Sequence, residues 1–245
     1  MTGLESGDKR RVALVTGASR GIGRAAALAL AGAGCHVIAL ARTVGGLEEL
    51  DDEIKREGGS ATLVPADLTD FQGLDRLGSA IAARWGRLDA FIGNAGLLGP
   101  ITPLAHVEPG AWERVMAVNV TANWRLLRAV DASLRASPSG RVVLVSSGAA
   151  TSCPAYWGPY SISKAALEAL ARTYAAETKT TPVRVMLLNP GPLRTAMRAE
   201  AMPGEDPLSL RTPEELAPWL VKLTGPEWAE TGKVFDFPRG EVISR

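Results

Sequence analysis

The sequence predicts an α/β protein, a doubly wound and mainly parallel seven-stranded sheet with helices on both faces. Short β-branched or apolar runs alternate with longer helical patterns along the whole chain, the order that a helix-covered parallel sheet requires. Each intervening stretch is long enough to cross from one strand to a parallel neighbour. A glycine-rich turn also joins the first strand to the first helix, in Val15-Thr16-Gly17-Ala18-Ser19-Arg20-Gly21-Ile22-Gly23. Strands are expected over 12–15, 36–41, 62–65, 90–92, 141–145, 183–188 and 234–237. Helices are expected over 21–31, 47–57, 71–85, 111–136, 160–178 and 213–223. The third shows its period plainly, with Leu74, Leu77, Ile81 and Trp85 at steps of three and four. Gly99-Pro100, Gly158-Pro159 and Gly191-Pro192 punctuate element boundaries. The stretch from Gly191 to Thr212, with Pro192, Pro203 and Pro207, has no regular period and reads as a functional loop or lid.

The chain has 245 residues, 46% of them hydrophobic, with Lys plus Arg at 27 against Asp plus Glu at 26. That balance describes one ordinary globular domain, over 12–245, preceded by a disordered tail over 1–11. Basic residues are scattered rather than clustered, so no electrostatic stripe speaks for nucleic acid or an anionic membrane surface. No apolar run approaches the ~20 residues that span a bilayer, and the polar start lacks the apolar region of a secretory signal. A cytoplasmic location is the expectation. Two cysteines, Cys35 and Cys153, make neither a disulfide framework nor a metal set. His36 follows Cys35 in a strand, where adjacent side chains point apart, so no metal site is expected.

Glycines in a strand-to-helix turn let backbone approach a pyrophosphate closely, and the following helix N-terminus offers unpaired N–H groups. About 20 residues further on, where a fold that prefers NAD carries an acid for the ribose 2′-OH, the chain reads Leu40-Ala41-Arg42-Thr43. Arg42, with Arg20 in the loop, suits a 2′-phosphate instead, because a guanidinium presents fork-shaped donors. The expected cofactor is NADP(H), with NAD(H) the alternative.

Tyr160 and Lys164 lie four apart at the start of a predicted helix, on one face, with Pro159 suited to its first turn. A phenol with a pKa of ~10 needs its anion stabilised to move protons near neutrality. An ammonium on the order of 5 Å away lowers that pKa by roughly two units before desolvation of the lysine is counted.

Thr16-Gly17-x-x-x-Gly21-x-Gly23, Asn94-Ala95-Gly96, Asn119, Ser147 and Tyr160-x-x-x-Lys164 occur in an order and spacing that resembles the short-chain dehydrogenase/reductase family. The resemblance spans nearly the whole chain and implies a Rossmann-type fold. It implies Tyr160 as general acid/base, Lys164 as the group that lowers its pKa and binds the nicotinamide ribose, Ser147 as a hydrogen-bond partner of the substrate oxygen, and Asn119 as holder of a relay water. It also implies cofactor contacts from Gly17, Ser19, Arg20, Gly21, Ile22 and Gly23 in the loop, and from Arg42. Asp67 with Leu68 would hold the adenine, and Asn94, Ala95 and Gly96 would line the turn after the fourth strand. Pro190, Gly191, Leu193 and Thr195 would hold the nicotinamide carboxamide. Family members assemble as dimers or tetramers, and a homo-oligomer is expected, with Trp124, Leu126, Leu127, Leu167 and Leu170 available for a helical interface. The chain departs from the pattern at Gly93 and at its ending, Phe237-Pro238-Arg239-Gly240, which lacks the glycine-rich turn and apolar tail associated with tetramers.

The reaction these residues imply is hydride transfer between nicotinamide and a carbonyl carbon, interconverting a ketone or aldehyde and an alcohol. The substrate would be read by 97–104, 148–157 and 193–211, where Leu97, Leu98, Tyr156, Trp157, Met197 and Met202 suit an apolar body; Arg194 and Arg198 read first as a solvated helix face, with contact to an anionic group as the alternative. The alternatives are an NAD-preferring dehydrogenase of the same family or an NADP-binding sensor or scaffold that turns nothing over.

Overall fold

The computed structural model describes residues 10–244, and within them the expected alternation is present. In chain order the elements are β1 Val12–Thr16, α1 Gly21–Gly32, β2 His36–Ala41, α2 Val44–Arg56, β3 Ser60–Pro65, α3 Phe71–Trp85, β4 Ala90–Gly93, α4 Pro109–Met116, α5 Ala122–Ala136, β5 Arg141–Val145, α6 Ala149–Ser152, α7 Gly158–Glu177, β6 Arg184–Asn189, α8 Ala196–Ala201, α9 Pro213–Thr224, β7 Lys233–Asp236 and β8 Glu241–Ile243. One sheet contains all the strands in the order β3-β2-β1-β4-β5-β6-β7-β8. Its first seven strands are parallel, while β8 runs antiparallel to β7, pairing Val234 with Ile243 and Asp236 with Glu241. The expected count of seven strands is thus corrected to eight. The added strand is only three residues long and owes its existence to a turn at Gly240 (φ +70°), a signal too short to read as a period.

Period-2 alternation sorts the two faces. Ala13, Val15, Val37, Ala39, Ile92, Val143 and Leu188 pack with Ala27 and Leu30 of α1, Leu47 and Leu50 of α2, and Leu216 and Leu220 of α9. Their neighbours Leu14, Ile38, Phe91, Val142, Leu144 and Leu187 face the other way, onto Leu74 and Ile81 of α3, Leu126 and Val130 of α5, and Leu167 and Ala171 of α7. Strands buried on both faces read as continuous apolar runs, which is why β1, β2 and β5 were legible. Leu126, Leu127 and Leu167 are therefore intramolecular core, whereas Trp124 remains 47% exposed.

One further boundary differs from expectation. The single helix expected over 111–136 is broken: α4 ends at Met116, one π-type turn covers Ala117–Thr121, and α5 follows. Such single-turn insertions redirect a side chain without ending the helix, and the one redirected here is Asn119. The loop expected over 191–212 contains α8 and a 3₁₀ turn at Pro207–Ser209. Of the tail expected over 1–11, residues 1–9 lie outside the described residues. Arg10 and Arg11 are placed, Arg10 donating to Ser60 Oγ (2.9 Å) and the Arg11 carbonyl accepting from the His36 N–H (2.8 Å).

At the N-terminal edge of the sheet Asp89 gathers three segments. Its carboxylate accepts from the Val12 N–H (2.8 Å), the Ser137 hydroxyl (2.6 Å) and Arg87 Nε (3.1 Å). Because Asp89 is buried, its loss strands those donors without water. Asp89→Ala is expected to cost about 3 kcal/mol, read as a lower urea midpoint with unchanged slope.

Candidate functional site

The C-terminal ends of β1 to β7 open into one cleft of about 1050 Å³, at the point where strand order reverses between β1 and β4. Each strand delivers a residue to it: Gly17 after β1, Arg42 after β2, Asp67 after β3, Asn94 after β4, Ser147 after β5, Pro190 after β6 and Pro238 after β7. Ser19, Arg20, Gly21, Ile22, Leu68, Ala95, Gly96, Tyr160, Lys164, Gly191, Leu193 and Thr195 also line it. Gly23 and Asn119, expected in the site, stand behind its wall.

The glycine loop is held by a joint that sequence reading missed. Thr16 Oγ1 accepts from the N–H groups of Asn94 (3.0 Å) and Ala95 (3.1 Å), while Asn94 Nδ2 donates to the Thr16 carbonyl (3.0 Å). A Cβ on Gly23 would sit 2.2 Å from the Gly17 carbonyl oxygen and 2.6 Å from Asn94 Nδ2. Only glycine lets α1 start this close to the loop. Helix α1 begins with no side-chain cap and no acid in its first turn, so its N–H groups and positive dipole end face the cleft unneutralised.

Helix α2 repeats the arrangement, starting after Thr43 with neither a side-chain cap nor a first-turn acid. Gly46 brings it against the loop, for a Cβ there would lie 3.0 Å from Ser19 Cβ. Ser19, Arg20, Arg42 and Thr43 thus line one end of the cleft together. Arg42 Nη1 stands 3.9 Å from Asp67 Oδ2 with both side chains about half exposed, a pairing of little energy. Asp67 is held below the usual carboxylate range by the N–H and hydroxyl of Thr69, each at 2.8 Å.

At the other end, Ser147 follows β5, and its hydroxyl faces the phenol of Tyr160 in the first turn of α7 closely enough to favour the phenolate. Lys164, one turn on, is buried under Gly96, where a Cβ would come within 3.5 Å of its Nζ. Nζ donates to the Val145 carbonyl (2.7 Å) and lies 5.6 Å from the Tyr160 ring centre. The expected lowering of the phenol is not what this geometry produces. Burial pushes Tyr160 up and the nearby Ser147 hydroxyl offsets only part of that, while burial pulls Lys164 down to about 8. Desolvation outweighs the charge–charge effect because both groups share the same dry pocket.

Asn119 does not present its side chain to the cleft. Oδ1 accepts from the Leu97 N–H (2.8 Å), and Nδ2 donates to the Leu97 carbonyl (2.9 Å) and to Ser163 Oγ (2.9 Å). Both amide hydrogens are used, and the Asn119 carbonyl accepts from Asn123 Nδ2 (2.9 Å). The amide therefore ties the loop after β4 to α7, and Ser163 in turn donates to the Tyr160 carbonyl (2.7 Å).

Around the phenol, Leu98, Ala149 and Ala201 form a small apolar cluster with Trp157 and Met197. Arg194 and Arg198, the alternative readers of an anion, are engaged within the lid rather than held on a solvated face. Arg198 makes a two-pronged pair with Glu205 (2.6 Å each), and Arg194 donates to the carbonyls of Pro207 (2.9 Å) and Leu210 (3.4 Å). Both fasten the lid. Thr195 caps α8 by accepting from the Arg198 N–H (3.2 Å). Pro238 and Arg239 also line the cleft, which sequence reading missed; a Cβ on Gly191 would meet Pro238 Cγ at 2.4 Å.

This cleft, sheet order and cluster of Ser147, Tyr160 and Lys164 define a dinucleotide-fold oxidoreductase, and comparison with known proteins agrees. Residues 11–206 match the short chain dehydrogenase family, and the chain belongs to that family. It is 38% identical over 234 residues to the oxidoreductase YciK of Escherichia coli strain K12, covering 94% of this chain and 92% of that protein. A short chain dehydrogenase structure from Salmonella enterica serovar Typhi superposes with a TM-score of 0.90 at 38% identity, covering 93% of this chain and 96% of that one. Another, from Shigella flexneri and complexed with NADP, gives a TM-score of 0.88 at 38% identity over 93% of this chain and 97% of that one.

Lys164 sets a pH window for stability. Its folded pKa of about 8 lies below the ordinary 10.5, so between those values the unfolded chain holds more protons. Its burial cost is fully present below about 8 and fades as pH rises toward the ordinary value. Relative to Lys164→Met, the natural protein is expected to gain on the order of 3 kcal/mol across that window, measured by urea unfolding at both ends.

Proposed function

We propose that this chain is an NADP(H)-dependent oxidoreductase that interconverts a ketone or aldehyde and an alcohol. The observation that carries the reading is the pairing of two ends of one cleft. At one end stand Ser147, Tyr160 and Lys164; at the other Ser19, Arg20, Arg42 and Thr43 surround an uncapped helix start. The cleft suits a dinucleotide: Gly17 and Gly21 line it with bare backbone where a pyrophosphate would sit, and Gly23 lets α1 pack against the loop behind them. A 2′-phosphate finds donors at Arg42 and the start of α2, where no acid stands to hold a ribose hydroxyl. The NADP complex of the Shigella flexneri relative supports the same choice.

Bound NADPH would supply the hydride. This chain's residues orient the partner and manage the proton. Ser147 Oγ and the Tyr160 hydroxyl, side by side in the cleft, would both meet the carbonyl oxygen, and Tyr160 would deliver its proton there as the oxygen gains charge. Lys164 keeps donors beyond the one it gives Val145, and these would hold the nicotinamide ribose and favour the phenolate left behind. Burial keeps the Tyr160 phenol protonated, the form that the reductive direction consumes. Asn119 would position Tyr160 through Ser163. Asp67 and Leu68 would bound the adenine, and Pro190, Gly191, Leu193 and Thr195 the nicotinamide amide. The same reading places the protein in the cytoplasm as a homo-oligomer, with Trp124 of α5 at the contact.

Titration of tryptophan-to-nicotinamide energy transfer tests the cofactor. NADPH is expected to bind at least tenfold tighter than NADH, and Arg42→Ala to remove most of that preference; equal affinities would turn the reading to NAD. Tyr160→Phe is expected to lower kcat by about 10²–10⁴ on a panel of aldehydes and diketones while NADPH affinity holds. Unchanged turnover in that variant removes the proposed mechanism, and absence of turnover in the natural protein favours a binding role.

A further inference from the structure

We propose that Glu168 and Ser146 form a positioning clamp that fixes the end of β5, and with it the reach of Ser147 toward Tyr160. The proposal rests on the oxidoreductase reading, since it assigns these residues to the geometry of that site. Tyr160, Lys164 and Glu168 follow one another at steps of four on a single face of α7. All three face consecutive residues at the end of β5. The phenol lies beside the Ser147 hydroxyl in the cleft, Lys164 Nζ donates to the Val145 carbonyl (2.7 Å), and Glu168 Oε1 accepts from Ser146 Oγ (2.8 Å).

Of the three helix side chains, only Glu168 does not itself line the cleft. Ser146 is 1% exposed and also donates its N–H to the Leu188 carbonyl (2.7 Å), so β5, β6 and α7 meet at this residue. Glu168 is a buried carboxylate whose other oxygen takes Arg172 Nη1 (3.2 Å). Its neighbours on the helix, Leu167 and Ala171, belong to the apolar core. A well-packed apolar residue generally serves stability at least as well as a buried ion. What the carboxylate adds is a directional bond to the residue beside Ser147. Reacting groups that drift by about 1 Å lose on the order of a hundredfold in rate, so a modest loosening here reaches the chemistry.

The test uses the full chain in three variants. Ser146→Ala deletes one hydroxyl, Glu168→Ala deletes the acceptor, and Glu168→Gln keeps an oxygen able to accept from Ser146. With NADPH and the aldehyde turned over best in the panel, the first two are expected to lower kcat about tenfold at unchanged NADPH affinity. Glu168→Gln should restore most of it. In a Ser147→Ala background, Ser146→Ala should add no further loss. A clamp that matters only to stability would instead lower the melting temperature and leave kcat intact, and that result overturns the proposal. A readout free of turnover comes from 3-fluorotyrosine incorporation. The ¹⁹F resonance of residue 160, identified by its absence in Tyr160→Phe, should move in Ser146→Ala and Glu168→Ala but stay in Glu168→Gln. An unmoved resonance overturns the clamp; a moved one without any turnover overturns the oxidoreductase reading alone. Should Glu168→Ala fail to fold, Ser146→Ala decides both readouts.

Discussion

The joint between the ends of β1 and β4 is the constraint on which the rest of this structure depends. A parallel sheet has to reverse its strand order somewhere, and here β1 and β4 part their following helices to opposite faces. Backbone N–H groups exposed by that parting need partners, and Thr16 Oγ1 serves two of them. Asn94 answers from the other side, onto the Thr16 carbonyl. With the two strand ends locked, Gly17 and Gly23 can lie in contact and α1 can begin at the edge of the cleft. The crevice is therefore a consequence of topology, and its chemistry is set by what stands at each strand end.

At the reacting end, burial dominates charge. Lys164 and Tyr160 sit on adjacent turns of one helix, close enough for attraction, yet both are driven toward their neutral forms. Removing water strengthens every interaction in the pocket and also penalises every ion. The pocket is dry because the loop after β4, tied down by Asn119, covers Lys164 with Gly96. A dinucleotide and a polar carbonyl entering this space would bring charge to groups that are otherwise short of it, so the balance between these two residues belongs to the loaded cleft.

The lid shows how partner choice reshapes a site. Arg194 and Arg198 look available in a list of side chains near the cleft, and both are consumed in holding 194–211 together. What remains around the phenol is apolar, and the cationic character of the cleft is concentrated at the start of α2. This division separates a cationic end of the cleft from a mostly apolar one.

Much of the fold was legible because its determinants are local. Two-sided apolar runs marked the parallel strands, Leu74, Leu77, Ile81 and Trp85 marked α3, and glycine spacing marked the loop at β1. β8 and the π-type turn escaped because three residues carry no period and because one inserted residue leaves a helical pattern almost unchanged. Most residues that line the cleft were readable from motif spacing, Pro238 and Arg239 excepted, whereas the roles of Thr16, Ser146, Ser163 and Glu168 were not, since each acts through a partner more than twenty residues away in sequence or through a helix turn set by packing. By itself the sequence determined the order of the elements and which chemical groups stand at the strand ends. Only the tertiary structure decided which arginines are already engaged, how dry Lys164 is and what holds Ser147 in place, because burial and hydrogen-bond partners are settled by segments that meet only when the sheet closes around them.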